Sequence, residues 1–338
     1  MRIGTNPEKN TEVAQGDFYH QLVIPVYIPE DQGYYKDSFV IFKHCIQSVL
    51  KSCHPQTFIT LVDNGSMAKV ASYIDTLYQE QKIHEVIHTT NVGKINAFFK
   101  GIGGHRFSLI TIADADVLFL NGWQAASYAI FEAYPKTGFV STTPNPKLWK
   151  YHTGALLWRF FFSNRLTAAP IENPDALRHF ASSIGNDRFF KEVHYAKALT
   201  LYENGTKAVL GSGHFVATYR GEIFYELQKS YSHLKLGADS VRTFLDAPVA
   251  NRSMWRLATA QNYTYHMGNT AESWMAETQR TIEPSKEPIP KPKLPPMRKP
   301  TWVANLVVRL LGKLSSSSFF QKQFLRQKGF SANERSEY

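Results

Sequence analysis

Asp114 and Asp116 stand one residue apart in SLITIADADVLFLNGW (108–123), directly after an apolar run. Paired carboxylates at a strand end can hold a divalent cation. Mg2+ or Mn2+ prefers hard oxygen ligands, keeps several waters and shares its site with a substrate's phosphates. A diphosphate leaving group departs with growing negative charge, which such a cation offsets. Alone, the pair reads more simply as a cap and a solvated acid. Two further clusters change that balance. Pro25-Val26-Tyr27 closes the apolar run HQLVIPVYIP, and Asp63-Asn64-Gly65 closes FITLVDNGS.

The elements that must carry these residues alternate. HQLVIPVYIP reads as a first strand, SFVIFKHCIQSVLKSC as a helix and FITLVDNGS as a second strand. MAKVASYIDTLYQEQ, HEVIHTT and NVGKINAFFKGI continue as helix, strand and helix, with Asn91 placed to cap the last. FSLITIAD is a fourth strand, AASYAIFEAY a helix and TGFVST a fifth strand. This order predicts an α/β fold with a mostly parallel central sheet and flanking helices. Ligands of such sheets gather beyond the carboxyl ends of the strands, and all three clusters fall on that rim. Residues 144–206 read as apolar and aromatic helices without strands. AVLGSGHFVATY then returns a strand, followed by a helical stretch holding Asp239 and Asp246.

Two rival chemistries lack their signatures. No G-x-G-x-x-G follows the first strand, as a dinucleotide-dependent dehydrogenase requires, and there is no Walker A loop. A phosphatase built on D-x-D would carry its pair after the first strand, whereas this pair follows the fourth.

LVIPVY, LVDNGS, NVGKINAFFKGI and IADADV, in that order and spacing, resemble the family-2 glycosyltransferases of the GT-A fold over roughly residues 20–270. The resemblance implies a nucleotide-sugar donor, foremost UDP-linked, Mn2+ or Mg2+, and inversion at the sugar. Pro25, Val26 and Tyr27 would line the base pocket and Asp63 would accept from the uracil. Asn91 and Lys94 would face the nucleotide, with Lys94 reaching the base or phosphates. Asp114 would approach the ribose beside Ala115, Asp116 would bind the metal, and His266 in YHMGN would add a ligand. A late carboxylate would deprotonate the acceptor hydroxyl. The family's Glu-Asp pair is absent, and Asp246, just before Pro248, is preferred over Asp239. Gly213 and His214 in GSGHF would contact a glycan or lipid-linked glycan acceptor. The competing reading is a non-catalytic nucleotide-sugar-binding or scaffold protein of the same fold.

Charge separates the body from the C-terminal region. The chain has 338 residues and a formal net charge of +10. Residues 284–330 hold ten Lys and Arg against one acid, Glu287, so the remaining body is close to neutral. Nothing in the body reads a nucleic acid. The organisation expected is a transferase domain over 1–282, with a nucleotide half about 18–143 and an acceptor half about 144–282. A stiff, solvated Pro-rich linker (283–300) and a basic amphipathic tail (301–330) would follow. WVANLVVRLLGKL places Trp302, Val303, Leu306, Val307, Leu310, Leu311 and Leu314 within half of a helical wheel, with Asn305 and Arg309 opposite. The next segment repeats the pattern with Phe319, Phe320, Phe324 and Leu325. Such a pair reads as an anchor on an anionic membrane surface, with docking onto a partner or a second copy as the rival. The polar N-terminus reads as carrying no signal peptide, and no apolar run is long enough to span a bilayer. Cys45 and Cys53, eight residues apart in one helix, are too distant to bridge and fit a reducing compartment. The expected place is cytoplasmic, peripheral on the inner face of the cell membrane.

Overall fold

The computed structural model describes residues 4–12, 16–227, 230–297 and 301–338, without the side chains of 238, 303–305 and 307–309. Arg298 and Lys299 of the linker, and the side chains of Val303, Asn305, Val307 and Arg309, lie outside the described residues. The strands are β1 His20–Val26, β2 Thr57–Asp63, β3 Glu85–His88, β4 Leu109–Ala113, β5 Val117–Phe119 and β6 Thr137–Ser141. They continue as β7 Leu166–Pro170, β8 Lys197–Glu203, β9 Thr206–Val209, β10 Val216–Arg220, β11 Trp255–Thr259 and β12 Thr264–His266.

One ten-stranded sheet has the order β3-β2-β1-β4-β10-β6-β11-β9-β8-β7, and β5 pairs with β12 in a separate ribbon. The pairings make seven strands run one way, with β7, β9 and β10 opposed. The mostly parallel sheet with flanking helices is therefore present. β1, β2 and β4 read as unbroken apolar runs because helices cover both of their faces. Ser38–Ser52 packs one side through Ile41, Phe42, Cys45, Ile46 and Val49. Lys94–Gly101 packs the other through Ile95, Phe98 and Phe99. At Gly101 a Cβ would stand 2.6 Å from Val23 Cγ1, so only glycine lets this helix sit so close to the sheet. Cys45 and Cys53 are both free and buried.

Three expectations are corrected. Residues 144–206 are not all helical: helix Pro174–Ser183 is there, but strands β7 and β8 lie in this region, which the sequence reads as having none. Asn91 does not cap the third helix. Gly93, at φ +87°, holds the cap position, and Asn91 Oδ1 accepts from its N–H at 3.2 Å.

The C-terminal region is the third correction, since its linker, though largely exposed, is held against the body and its last helices are not a free tail. Residues 285–297 lie along the body: Ser285 N donates to Lys51 O at 2.7 Å, Arg220 donates to Pro295 O, and Ile289 and Leu294 pack on the core. Helix Ser318–Gln327 buries Phe320, Phe324 and Leu325. Phe324 stacks on Trp149, 6.2 Å between centroids, and Phe320 lies 4.6 Å from Trp158. Lys328 is 4% exposed and donates to the carbonyls of Phe160, Phe161 and Ser163 at 2.5, 2.9 and 2.8 Å. Burial lowers its ammonium to about 8. The Tyr338 hydroxyl accepts from Leu199 N at 3.2 Å, tying the last residue to β8. Each large apolar side chain buried this way contributes about 1.5–3 kcal/mol.

Candidate functional site

A cleft of about 400 Å³ opens where β1, β2 and β4 end. Pro25, Val26 and Tyr27 form one wall, Asn64 a second, and Asp114, Ala115 and Asp116 the floor. The three rim clusters thus meet as the sequence implied. Tyr34 and Tyr35, which the sequence reading passed over, also line it. Tyr35 sits edge-on to Tyr27 at 6.0 Å and to Tyr34 at 5.1 Å. Tyr27 and Tyr34 are exposed and Tyr35 is half-buried, and such rings with polar tips suit a planar base.

Asp63 is absent from this wall. It is 4% exposed, its Oδ1 accepting from Ser66 N at 2.8 Å and its Oδ2 pairing with His88 Nδ1 at 2.9 Å. His88 Nε2 reaches Asp75 at 2.8 Å. The contact with Asp63, then that with Asp75, raises the His88 imidazole above its ordinary value. Asp63 therefore ties off the turn after β2, and its neighbour Asn64 faces the cleft, fixed by accepting from Val92 N at 2.9 Å.

Lys94 and Asn91 line the opposite side. Lys94 is ion-paired to Asp114, which neutralises both. Asp116 has a different partner. The β5–β12 ribbon pairs Val117 with His266, and Met267 N donates to Asp116 O at 2.8 Å. That register sets His266 Nε2 3.4 Å from Asp116 Oδ2, while Nδ1 is held by Ser183 Oγ at 3.0 Å. Asp116 Oδ1 is buried without a hydrogen-bond partner. Burial raises the Asp116 carboxyl, His266 opposes the rise and Asp114 adds to it. Among the described residues no three His, Cys, Asp or Glu side chains are gathered as a metal cluster. Of the implied ligands, Asp116 and His266 come together and Asp114 turns to Lys94.

The two candidate bases separate sharply. Asp239 is 75% exposed and pairs with Arg242 at 3.0 Å on the surface. Asp246 is 1% exposed, at the end of a π-helical turn, Arg242–Asp246. Widened turns of this kind re-aim side chains and recur at functional sites. Its Oδ1 lies 3.1 Å from Arg256 Nη2 and its Oδ2 3.3 Å from His214 Nε2. Burial pushes the Asp246 carboxyl up, but the His214 contact, the Arg256 charge and the Tyr151 hydroxyl together hold it below the usual carboxylate range. His214 itself is pushed down by burial, which keeps it neutral near pH 7. Asp114 N donates to Phe215 O at 2.8 Å, so the segment carrying His214 abuts the cleft floor. Gly213 makes no close approach, whereas Gly211 must be glycine: at φ +104° its Cβ would meet Asn145 O at 2.1 Å.

Residues 38–192 match the family model described as Glycosyl transferase family 2. Solved structures similar to this chain include S. aureus TarS 1-349, at 13% identity over 74% of this chain and 60% of that one, with a TM-score of 0.41. Mannosyltransferase PcManGT from Pyrobaculum calidifontis, in complex with GDP-Man and Mn2+, matches at 13% identity over 94% of this chain and 77% of that one, TM-score 0.43. TarS 1-349 in complex with UDP-GlcNAc matches at 12% identity over 78% and 65%, TM-score 0.42. The chain spans 60% of the length of the first of these. No curated protein matches the chain.

Proposed function

We propose that this chain, whose residues 38–192 match the glycosyl transferase family 2 model, moves a sugar from a UDP-linked donor to a hydroxyl of a glycan or lipid-linked glycan, with inversion. The observation that carries this reading is the cleft at the ends of β1, β2 and β4. There an aromatic wall for a base stands opposite Lys94, Asp114 and Asp116.

The buried, unpartnered Asp116 Oδ1 beside the His266 imidazole fits a divalent cation. A hard oxygen with one imidazole suits Mn2+ or Mg2+, and a bound diphosphate would complete the ligand set. When bound, that ion supplies positive charge against the departing diphosphate. The protein's own residues do the rest. Tyr27, Tyr34 and Tyr35 hold the base, and Asn64 and Asn91 offer amides to it. Lys94 is kept in place by Asp114. Asp246, ionised at neutral pH, takes the proton of the acceptor hydroxyl beside His214 as that oxygen attacks the anomeric carbon. Attack opposite the leaving diphosphate inverts the centre, and no carboxylate bound to the sugar is needed.

Thermal shift with a panel of nucleotides and nucleotide sugars, with and without Mn2+, tests this, because a ligand that binds only the folded state raises the melting temperature. UDP or a UDP-sugar should stabilise the protein with Mn2+, and Asp116→Ala should lose the Mn2+-dependent part. A panel without any nucleotide response ends the donor reading. Donor binding without transfer to any acceptor would support the non-catalytic alternative.

The same reading seats the enzyme on the cytoplasmic face of a membrane. Helix Trp302–Ser315 supports it: Trp302, Leu306, Leu310 and Leu314, four residues apart, are all exposed. Phe319 and Phe162 are exposed as well, at 74% and 87%. Arg159, Lys313, Lys322 and Arg326 are exposed too, with no acidic partner among the described residues. Apolar side chains among unpaired cations fit an anionic lipid surface.

A further inference from the structure

We propose that the strap 230–237 is a wall of the donor cleft and that Lys235 on it meets the donor's diphosphate, with Asn96 as the positioning residue that fastens the strap. The assignment rests on the donor reading above and adds a binding group to it.

The strap joins the antiparallel part of the sheet to the helical stretch that carries Asp246, and it crosses the first turn of helix Lys94–Gly101. Its fastening is specific. Asn96, 7% exposed, accepts from Ser232 N and donates to Ser232 O, each at 2.8 Å, while also donating to Val92 O at 2.8 Å. One side chain thereby joins positions 136 residues apart in the chain. Ser232 Oγ folds the strap onto itself by donating to Leu234 O at 3.1 Å. Lys94 N donates to Lys235 O at 2.9 Å, which pins the strap beside the cleft's other lysine. Gly93 permits the approach: at φ +87°, its Cβ would stand 2.6 Å from Lys235 Cα. The result is that Lys235 and Leu236 line the same cleft as Asp114 and Asp116.

Charge gives Lys235 its task. Lys94 is committed to Asp114, so the pair brings no net positive charge to an incoming diphosphate. Asp116 adds a negative charge, which a divalent cation would offset with one charge to spare. A nucleoside diphosphate product carries more negative charge than that. Lys235 has no ion-pair partner among the described residues, and a flexible ammonium suits a phosphate as a mobile point charge.

The test compares a nucleoside diphosphate with its nucleoside by calorimetry in Mn2+, because only the former carries the group that Lys235 would meet. UDP and uridine are the first probes, with GDP and guanosine used if GDP binds more tightly. Lys235→Ala should weaken UDP about tenfold and leave uridine unchanged, as expected for losing one charge-assisted contact, and Lys235→Arg should restore it. Asn96→Ala should produce the same UDP-selective loss while Lys235 is still present. Gly93→Ala, which pushes the strap away from the opposite side, repeats the measurement if Asn96→Ala does not fold. Lys235→Ala binding UDP like the wild type, or losing UDP and uridine equally, overturns the assignment and leaves the donor reading intact. Wild-type protein that binds neither nucleoside diphosphate removes both.

Discussion

Asp246 and Arg256 form a buried ion pair, Oδ1 to Nη2 at 3.1 Å, with both side chains nearly sealed from water. The carboxylate proposed to take the acceptor's proton is therefore also the counter-charge of a buried guanidinium. Arg256 keeps Asp246 ionised, the state a base must have before the acceptor arrives.

Asp246→Asn keeps the shape but cannot accept the proton. In steady-state kinetics, kcat should fall by about 10²–10⁴ with donor affinity little changed. The substitution also strips Arg256 of its counter-charge, and removing one partner of a buried pair costs about 3–5 kcal/mol, so melting must be recorded beside activity. Asp239→Asn, on the surface, should match the wild type in both. A folded Asp246→Asn enzyme with wild-type turnover, or the large loss at Asp239 instead, would displace Asp246 as the base.

His88 stands between Asp63 and Asp75, and both contacts raise its folded value. A raised imidazole contributes stability that is complete below its ordinary unfolded value of 6.5 and that is lost as pH rises through the folded one. The melting temperature of the wild type minus that of His88→Gln should therefore be largest near about pH 5.5 and shrink by about pH 9. Asp75→Asn should narrow the same difference. A gap that stays flat with pH would mean that His88 acts through its shape alone.

Much of the donor site is legible in the sequence because its residues follow strands. The apolar runs of β1, β2 and β4 each end at the rim, so Pro25–Tyr27, Asn64 and Asp114–Asp116 are placed by topology before any contact is known. Asp63 and Asn64 differ by one residue, and which of them faces the cleft depends on the turn that Ser66 and His88 stabilise. β8 was illegible for a different reason. Its residues 198–201 are buried without alternation, between helices and the C-terminal segment, so no period of two marks them as a strand. The Asn96–Ser232 clasp joins residues too distant in the chain for any motif to record. Phe320, Phe324 and Leu325 form an apolar face that the sequence shows plainly, but a helical wheel does not say whether lipid or protein covers it.

That last distinction can be measured. Leu306→Glu/Leu310→Glu alters two exposed positions and leaves the buried face of helix Ser318–Gln327 untouched. Full-length protein should co-sediment with vesicles of phosphatidylcholine and phosphatidylglycerol, less so as salt rises, and not with phosphatidylcholine alone. The double variant should lose that binding and keep its melting temperature. Binding unaffected by the variant would place the lipid contact elsewhere. A wild-type dimer that the variant makes monomeric, with no vesicle binding, would give the row to a second copy.

Truncation after Ile282 should unfold or precipitate the protein rather than release a soluble enzyme. Phe320, Phe324, Leu325, Phe330 and Tyr338 all belong to one core cluster with Trp149, Leu199 and Trp255, so the cut opens that core along its length. A single Phe→Ala in such a setting costs about 3–5 kcal/mol, and a domain's whole stability is only about 5–15 kcal/mol. Smaller changes should grade the effect. Phe324→Ala should destabilise within the single-residue range. Lys328→Met should cost about 1–3 kcal/mol for each carbonyl of Phe160, Phe161 and Ser163 left without a donor or water. Chemical denaturation of the two variants gives these values directly. A truncated protein that stays soluble, melts with the wild type and still binds UDP with Mn2+ would show that 283–338 contributes little to the core, and would return the C-terminal segment to the role of a separable tail.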